Sequence, residues 1–227
     1  MKREIITTQD GSQTIHIVDW DEHYHSKHGA IQEANYVYLN KGLGFFLNSE
    51  NVKKEEVVSV LEIGFGTGLN AFLTLIEAEK HQINMQYVGV EAYPISAEEL
   101  SQLCYPSVLN LEDETSVFNT LHTSKWNEFE TINNHFQLKK QKQLFSEIKD
   151  INSYDVIYFD AFGPRVQPEL WTEDIFKIMY KALKQNGVLV TYCAQGNARR
   201  AMQVVGFKVE RLQGPPGKRH MLRAIKV

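Results

Sequence analysis

A buried strand that runs directly into a glycine-rich turn constrains this chain more than any other feature. Residues 57–64 (VVSVLEIG) form an apolar run typical of a central parallel strand that is covered on both faces. Glycines follow at positions 64, 66 and 68, and residues 67–81 place apolar side chains at helical spacing. Glycines between a strand and a helix let the backbone turn tightly and approach a ligand closely. The segment therefore predicts an α/β protein with a ligand site where this strand ends.

The rest of the chain repeats the alternation of strand and helix. Strands are predicted over residues 86–92, 136–140, 154–162, 187–193, 207–212 and 220–226, and helices over 95–103, 143–149, 171–184 and 195–205. Such alternation implies right-handed crossovers and a mostly parallel sheet. The last two strands are joined by a short loop, so they must be antiparallel.

This order resembles the class I S-adenosylmethionine-dependent methyltransferase fold. The expectation is a doubly wound, mostly parallel seven-stranded sheet with an antiparallel last strand. Residues 3–8 and 13–18 flank Asp10-Gly11 and predict a small N-terminal β-hairpin. Residues 19–38 show no clear period and suggest a lid, a loop is expected from Gly44 to Glu56, and residues 104–134 suggest an insertion or long loop. We expect a hairpin and lid segment over 1–56 and a Rossmann-like domain over 57–227, as one compact unit.

The spacing of the glycines favours one nucleoside cofactor over another. The loop reads GxGxG, whereas a dinucleotide-binding loop reads GxGxxG. With Glu62 two residues ahead of Gly64, it resembles motif I of class I methyltransferases, which lines the methionine part of S-adenosylmethionine. Glu91 ends the next strand, where an acid can accept hydrogen bonds from ribose hydroxyls, as it also does in NAD-binding proteins. The predicted cofactor-binding residues are Glu62, Gly64, Phe65, Gly66, Thr67, Gly68, Asn70 and Glu91.

Asp160 closes the strand run YDVIYFD (154–160) and opens the loop Ala161-Phe162-Gly163-Pro164. Ligands of open α/β sheets bind beyond the carboxyl ends of the strands, so this carboxylate should face the methyl donor and the methyl acceptor. An acid, an aromatic ring and a proline in one turn resemble the DPPY-like loop of enzymes that methylate amino nitrogens on bases. A helix-capping role for Asp160 is the alternative.

A specific resemblance is carried by DAFGPRVQPELWT (160–172) together with LEIGFGTGLN (61–70). With EAYP (91–94) and GPPGKRHML (214–222), these segments resemble the methyltransferase domain of MnmC, the tRNA wobble-uridine modification enzyme. Bifunctional MnmC also carries an FAD-dependent oxidoreductase domain, and this chain has none before it ends at Val227. The resemblance implies a stand-alone enzyme. Residues 138–143 lack the Gly-Asp that often follows the third strand in this family, so no adenine contact is predicted there.

The resemblance implies methyl transfer from S-adenosylmethionine to the amine of 5-aminomethyl-2-thiouridine at the wobble position of tRNA. Asp160 is then the catalytic residue. An alkylammonium titrates near ~10 and an ordinary Asp near ~4, a gap of roughly 8 kcal/mol, so Asp160 is expected to orient the amine while water takes the proton. The loop residues Phe162, Pro164 and Trp171 are candidates for binding the base, although Trp171 fits a core position equally well.

The distribution of charge suggests where an anionic partner binds. From Asp160 onward the chain has 12 Lys and Arg against 5 Asp and Glu, whereas residues 1–159 have 12 against 23. Arg199, Arg200, Lys218 and Arg219 lie in this basic third and are candidates for contacts with anticodon-loop phosphates. An ordinary solvated role remains open for each.

Several classes of protein are disfavoured. No apolar run approaches the roughly 18 residues of a membrane-spanning helix, and the start turns polar too early for a signal peptide. Cys104 and Cys193 form no CxxC pair, which fits reduced thiols and a cytoplasmic protein. His23, His25 and His28 lack cysteine or carboxylate partners at metal-ligand spacing, so no metal is expected.

Three alternative functions remain. The chain could methylate another amine, it could be a nucleotide-dependent oxidoreductase, or it could be a non-catalytic RNA-binding module. An oxidoreductase should bind NAD, whereas a methyltransferase should bind S-adenosylhomocysteine. An RNA-binding module would need neither the glycine loop nor Glu91, and both are present.

Overall fold

The computed structural model describes residues 2–49 and 56–227 and contains two β-sheets with helices packed on the larger one. The strands are β1 (Arg3–Thr7), β2 (Gln13–Ile17), β3 (Glu22–His23), β4 (Val58–Ile63), β5 (Met85–Val90), β6 (Phe129–Asn133), β7 (Phe136–Gln141), β8 (Tyr154–Phe159), β9 (Leu183–Thr191), β10 (Phe207–Gln213) and β11 (His220–Lys226). The helices are α1 (Ala30–Ala34), α2 (Phe45–Leu47), α3 (Leu69–His81), α4 (Ala97–Leu100), α5 (Tyr105–Val108), α6 (Thr115–Thr123), α7 (Glu173–Ala182) and α8 (Gly196–Val204).

The larger sheet has the strand order β10-β11-β9-β8-β4-β5-β7-β6. The five strands from β9 to β7 pair in parallel, and β11 lies antiparallel between β9 and β10. The predicted fold class and its antiparallel last strand are thus confirmed. The predicted number of strands was one too few, because β6 adds an eighth strand antiparallel to β7 at the sheet edge.

Residues 104–134, predicted as an insertion or long loop, contain regular structure instead. They form α5, α6 and β6. Phe118 and Leu121 of α6 are buried in the core beside α3. The elements are short, with four residues in α5 and nine in α6, so each offers too few apolar positions to establish a period.

Residues 30–38 of the segment expected to be a lid belong instead to a continuous helical rod from Ala30 to Leu47. Between α1 and α2 the rod adopts π-helical geometry over Asn35–Gly44. It packs on β8 and β9, where a Cβ on Gly42 would lie 2.7 Å from Val190 Cγ2. The part of the predicted loop before residue 48 is therefore helical, and residues 50–55 of that loop lie outside the described residues. The boundary between residues 56 and 57 stays a prediction.

Hydrophobic side chains on both faces of the sheet make a three-layer core. On one face the rod, α3, α5 and α6 cover β4, β5, β7 and β8. On the other face α7 and α8 cover Leu61, Ile157 and Phe159. Strands buried on both faces have no polar alternation, which explains the apolar run that marks β4 in the sequence.

The N-terminal hairpin is confirmed as β1 paired with β2, and β3 extends it to three strands. Both cysteines are free thiols, Cys104 exposed and Cys193 buried. Within residues 2–49 and 56–227, no helix combines the length and the apolar character needed to cross a bilayer.

Two isoleucines provide a matched test of this core. Ile157 on β8 is fully buried, whereas Ile151 in the preceding loop is 67% exposed. We expect Ile157→Ala to lower the free energy of unfolding by about 2–5 kcal/mol, because it deletes buried methyl groups from the central sheet. Ile151→Ala should change it by less than about 0.5 kcal/mol. Urea denaturation followed by circular dichroism measures both, and equal losses would contradict the placement of β8.

Candidate active site

The carboxyl ends of β4 and β8 bring the glycine turn against Asp160. The Asp160 backbone N–H donates to Ile63 O (2.9 Å), and a Cβ on Gly64 would lie 2.7 Å from the Asp160 carbonyl oxygen. Gly64 has φ +90°, which side chains rarely tolerate. Position 64 therefore requires glycine both for its backbone angle and for this close approach.

A hydrogen-bonded network fixes the Asp160 carboxylate. The Tyr38 hydroxyl donates to Oδ1 (2.5 Å), and the Asn70 side-chain amide donates to Oδ2 (2.9 Å). The same amide group donates to Glu62 Oε1 (2.9 Å). Tyr38 comes from the helical rod, Asn70 from α3 and Glu62 from β4. Three separate elements thus hold one carboxylate in place.

Loss of hydration changes the acidity of this network. Burial raises the pKa of Asp160 to about 7, although the hydrogen bond from Tyr38 opposes the rise. The nearby Glu33 carboxylate raises this pKa further, and Lys218 lowers it. Burial also holds the pKa of Glu62 well above its usual range. The ordinary Asp acidity assumed from the sequence does not apply here.

Glu91 lies beside the glycine turn at the end of β5. Its carboxylate accepts hydrogen bonds from the backbone N–H groups of Gly66 (3.0 Å) and Tyr93 (2.8 Å). Phe65 packs on Gly89, Thr67 accepts from the Tyr105 hydroxyl (3.1 Å), and Gly68 precedes α3 with φ +71°. The structure brings all the predicted cofactor-binding residues together at one turn.

A cavity of about 640 Å³ opens from this turn. Its wall includes Glu62, Gly64, Phe65, Gly66, Thr67, Asn70, Glu91 and Asp160 among the predicted residues. Residues that the sequence argument missed complete it, namely Trp20, Tyr24 and His25 from the N-terminal segment and Leu144, Phe145 and Ser146 after β7. The segment 144–146 lines this cavity after β7, beyond the residues 138–143 in which no adenine contact was predicted. The volume of the cavity is within the usual range for small-molecule sites.

A second cavity of about 310 Å³ also has Asp160 in its wall. It shares Asp160, Ala161, Phe162, Tyr24 and His25 with the first cavity, and Glu33, Tyr192 and Lys218 line it alone. Arg165 donates to Trp20 O (3.0 Å) and Asp21 O (2.8 Å), which ties residues 20–28 over both cavities. Asp160 therefore lines both cavities.

The residues predicted to bind a base separate into two groups. Phe162 lines both cavities and makes edge contacts with Trp20 and Tyr24. Trp171 is 5% exposed, donates its indole N–H to Phe162 O (2.8 Å) and packs on Phe159. The prediction that Trp171 stacks on a base is therefore wrong. Trp171 instead supports the Phe162 loop from the core. Pro164 lines neither cavity.

The four basic candidates also differ in position. Arg200 and Arg219 are exposed, and Arg199 is half-buried, with its Nε unpaired among the described residues. Lys218 forms an ion pair with the buried Glu33 and lies 3.8 Å from the centre of the Tyr192 ring. Its charge is already partnered inside the second cavity, so the prediction of a phosphate contact does not fit Lys218.

The histidines of the N-terminal segment have structural contacts. His23 stacks on His16 at 4.3 Å, and the His25 ring bonds to Thr14 Oγ1 (3.1 Å). Burial lowers the pKa of His25 to about 4, which keeps this ring neutral. In the part of the chain that the structure describes, no three His, Cys, Asp or Glu side chains are placed to hold a metal ion.

Tyr38 is the functional residue that the sequence argument missed most clearly. The rod buries a broad face that includes Glu33, Tyr38 and Gly42 beside apolar side chains, so its sequence shows no clear apolar period. A π-helical stretch widens the turn, and such stretches are frequent at functional sites.

Comparison with known proteins agrees with this geometry. Residues 118–227 match the model of a family described as S-adenosyl-L-methionine-dependent methyltransferase. The "tRNA 5-methylaminomethyl-2-thiouridine biosynthesis bifunctional protein MnmC" of Nitrosospira multiformis is 27% identical over 88% of this chain and 33% of its own length. The protein of the same name from Marinomonas sp. is 28% identical over 94% of this chain and 32% of its own. The chain spans about a third of the length of these curated relatives.

Solved structures show the same similarity. The crystal structure of MNMC2 from Aquifex aeolicus matches 98% of this chain and 70% of that chain, with a TM-score of 0.78 and 26% identity. Spermidine synthase from Thermotoga maritima matches 100% of this chain and 72% of that chain, with a TM-score of 0.55 and 15% identity. The second likeness shows a shared fold only.

Two glycines with similar backbone angles test the contact between the glycine turn and Asp160. Gly64 has φ +90° and the close contact described above, whereas Gly11 has φ +84° and nothing within 4 Å of the place that a Cβ would occupy. Both Gly→Ala changes should cost about 1–3 kcal/mol in backbone strain. Only Gly64→Ala should also weaken S-adenosylhomocysteine binding, by at least about tenfold in calorimetry. Unchanged affinity in Gly64→Ala would contradict the assignment of the turn.

Proposed function

We propose, on the premise that this chain is an MnmC-like, S-adenosylmethionine-dependent methyltransferase domain, that it methylates the primary amine of a 5-aminomethyl-2-thiouridine at the wobble position of tRNA. The observation that carries the proposal is the position of Asp160 in the wall shared by two cavities. One cavity has the size and the residues for a nucleoside donor. The other gives an acceptor access to the same carboxylate.

The residues of the larger cavity fit S-adenosylmethionine. Asn70 Oδ1 is buried and has no hydrogen-bond partner among the described residues, so it is free to accept from the ammonium group of the methionine part. A cation there would also favour the ionised form of Glu62. Glu91 lies where a carboxylate can bind the ribose hydroxyls, and Leu144 and Phe145 supply apolar surface for the adenine. When bound, S-adenosylmethionine supplies an electrophilic methyl group on a sulfonium.

The chain's own residues present the acceptor amine. Transfer breaks the S–CH₃ bond, forms an N–CH₃ bond from the amine lone pair and releases one proton from nitrogen. Asp160, oriented by Tyr38 and Asn70, accepts a hydrogen bond from the amine and directs its lone pair. Alignment of this kind supplies much of the rate enhancement in two-substrate reactions. Phe162 and Tyr24 pack against the base and exclude water.

The raised pKa of Asp160 makes it a better proton acceptor than the sequence suggested. With the Asp160 pKa at about 7, the gap to an alkylammonium near ~10 is about 3 pH units, or roughly 4 kcal/mol. That is half of the cost expected for an ordinary Asp. Asp160 is therefore able to accept the amine proton transiently and then to release this proton to water.

The tRNA substrate is supported by the relatives' names and by surface charge. The exposed side chains of Arg200 and Arg219 lie in the basic third of the chain and are available for backbone phosphates. A base in a single-stranded loop can be splayed out and stacked on aromatic side chains, which Phe162 and Tyr24 provide. A tRNA substrate also implies a cytoplasmic enzyme.

Asp160→Asn tests the catalytic assignment. We expect kcat to fall about 10²–10⁴-fold, because the amide cannot accept the amine proton. S-adenosylhomocysteine affinity should be retained. Asp160 works in its ionised form, so wild-type activity should be present above the Asp160 pKa and lost as the pH falls through about 7. This acid limb of the pH profile should be absent in the variant. Initial rates with an aminomethyl-bearing anticodon stem-loop measure both effects.

Asp174→Asn is the matched control, because the Asp174 side chain is 91% exposed on α7. It should leave the rate and the pH profile unchanged. Near-normal turnover of Asp160→Asn with cofactor bound would refute the catalytic role.

Mass spectrometry of tRNA nucleosides from a deletion strain tests the substrate independently. Loss of the enzyme should leave the aminomethyl-thiouridine unmethylated, so this nucleoside should accumulate. An unchanged nucleoside profile would remove tRNA as the substrate.

A further inference from the structure

The second cavity contains a charged pair that the proposed methyl transfer does not use. Lys218 Nζ donates to Glu33 Oε1, and the Glu33 side chain is only 8% exposed. The Lys218 ammonium also lies over the Tyr192 ring, 3.8 Å from its centre. A flexible lysine is thus fixed from two sides beside Asp160.

The same pair joins three distant segments around the cavity. Glu33 Oε2 accepts from the backbone N–H of Ser26 (2.9 Å), which holds residues 20–28 to the helical rod. Lys218 lies in the loop between β10 and β11, so its ion pair connects this loop to the rod. In the same loop, Gly217 contacts His28. The Tyr192 hydroxyl donates to Ala161 O (2.9 Å), next to Asp160. The position of the Lys218 ammonium is therefore set relative to the catalytic carboxylate.

The chemistry of the acceptor base calls for a hydrogen-bond donor beside Asp160. In a 5-aminomethyl-uracil the amine is one methylene away from C5, and the neighbouring C4 carries a carbonyl oxygen. When the amine lies at Asp160, that carbonyl must lie nearby in the same cavity. A lysine ammonium has three N–H donors and no acceptor, and the ion pair with Glu33 leaves donors to spare.

We propose that Lys218, positioned by Glu33 and Tyr192, binds the C4 carbonyl of the acceptor base and selects uracil over cytosine. This inference rests on the proposed function, because it takes an aminomethyl pyrimidine as the acceptor. Glu33 is a positioning residue, since it acts through Lys218. Cytosine presents an amino group at C4, which would place a donor against a donor.

A ratio of rates with two substrates tests the inference. Synthetic anticodon stem-loops would carry either 5-aminomethyl-2-thiouridine or 5-aminomethyl-2-thiocytidine at the modified position. We expect wild type to favour the uridine substrate at least about 100-fold in kcat/KM, because a mismatched buried donor is poorly tolerated. Lys218→Met should bring this ratio close to one, and Lys218→Gln, which keeps an N–H donor, should retain part of it.

Arg219→Met is the matched control, because it removes the adjacent exposed cation. It should lower binding of both substrates equally and reduce the slope of log KM against log salt concentration by about one. Lys218→Met should leave that slope unchanged. If Lys218→Met instead changes the slope and keeps the uridine preference, Lys218 is a phosphate contact and the inference is overturned.

The pH profile provides a second readout, because Lys218 and Glu33 act on the ionisation of Asp160 in opposite directions. The charged and titratable groups around Asp160 are Tyr38, Glu33, Lys218, Glu62, Tyr87 and Tyr192. Lys218 lowers the Asp160 pKa and Glu33 raises it. The acid limb of kcat should therefore move to higher pH in Lys218→Met and to lower pH in Glu33→Gln. Shifts in the same direction would contradict the arrangement.

Failure of this inference can be told apart from failure of the proposed function. If wild type methylates neither stem-loop, the proposed function is wrong. If wild type methylates the uridine substrate and Lys218→Met and Lys218→Gln keep its full preference, only the role of Lys218 is wrong. S-adenosylhomocysteine affinity reports whether each variant is folded, and Glu33→Gln supplies the pH test should the Lys218 variants unfold.

Discussion

The hydrogen bond from Tyr38 to Asp160 is the interaction on which the rest of the site depends. A carboxylate withdrawn from water needs partners, and Asp160 has them from the helical rod and from α3. These partners keep it beside the glycine turn, where the donor and acceptor cavities meet. The cost of its burial appears as a pKa of about 7, close to that of an imidazole. The same burial that prepares Asp160 for an amine therefore also makes its ionisation sensitive to every charge around it.

Much of the framework could be predicted because its causes are local in the sequence. A strand buried on both faces must be apolar, and a turn that approaches Asp160 to within contact distance must have glycine at position 64. The antiparallel β10–β11 pair followed from a loop too short for a crossover. Glu91 was identified from its place at the end of β5, and the structure adds that it also fastens the glycine turn through Gly66.

The parts that could not be predicted depend on contacts between distant segments. The helical rod buries polar side chains and a glycine as well as apolar side chains, so the apolar pattern did not reveal Tyr38. Nothing local distinguishes Lys218, inside a cavity with Glu33, from Arg219, which faces solvent. Trp171 is in the core, where it packs on Phe159 and donates its indole N–H to the Phe162 carbonyl. The acidity of Asp160 likewise depends on burial by several segments, which composition and spacing do not report.

Direct titration of Asp160 tests the central claim, that a partnered and poorly hydrated carboxylate lies between the two cavities. The protein would be labelled with ¹³C at aspartate side-chain carboxyl groups, and the Asp160 resonance would be assigned by its loss in the asparagine variant. The structure predicts a midpoint at about pH 7, well above the ordinary value for an aspartate. A midpoint near ~4, the ordinary value for an aspartate, would contradict the account, because the carboxylate would then be fully hydrated.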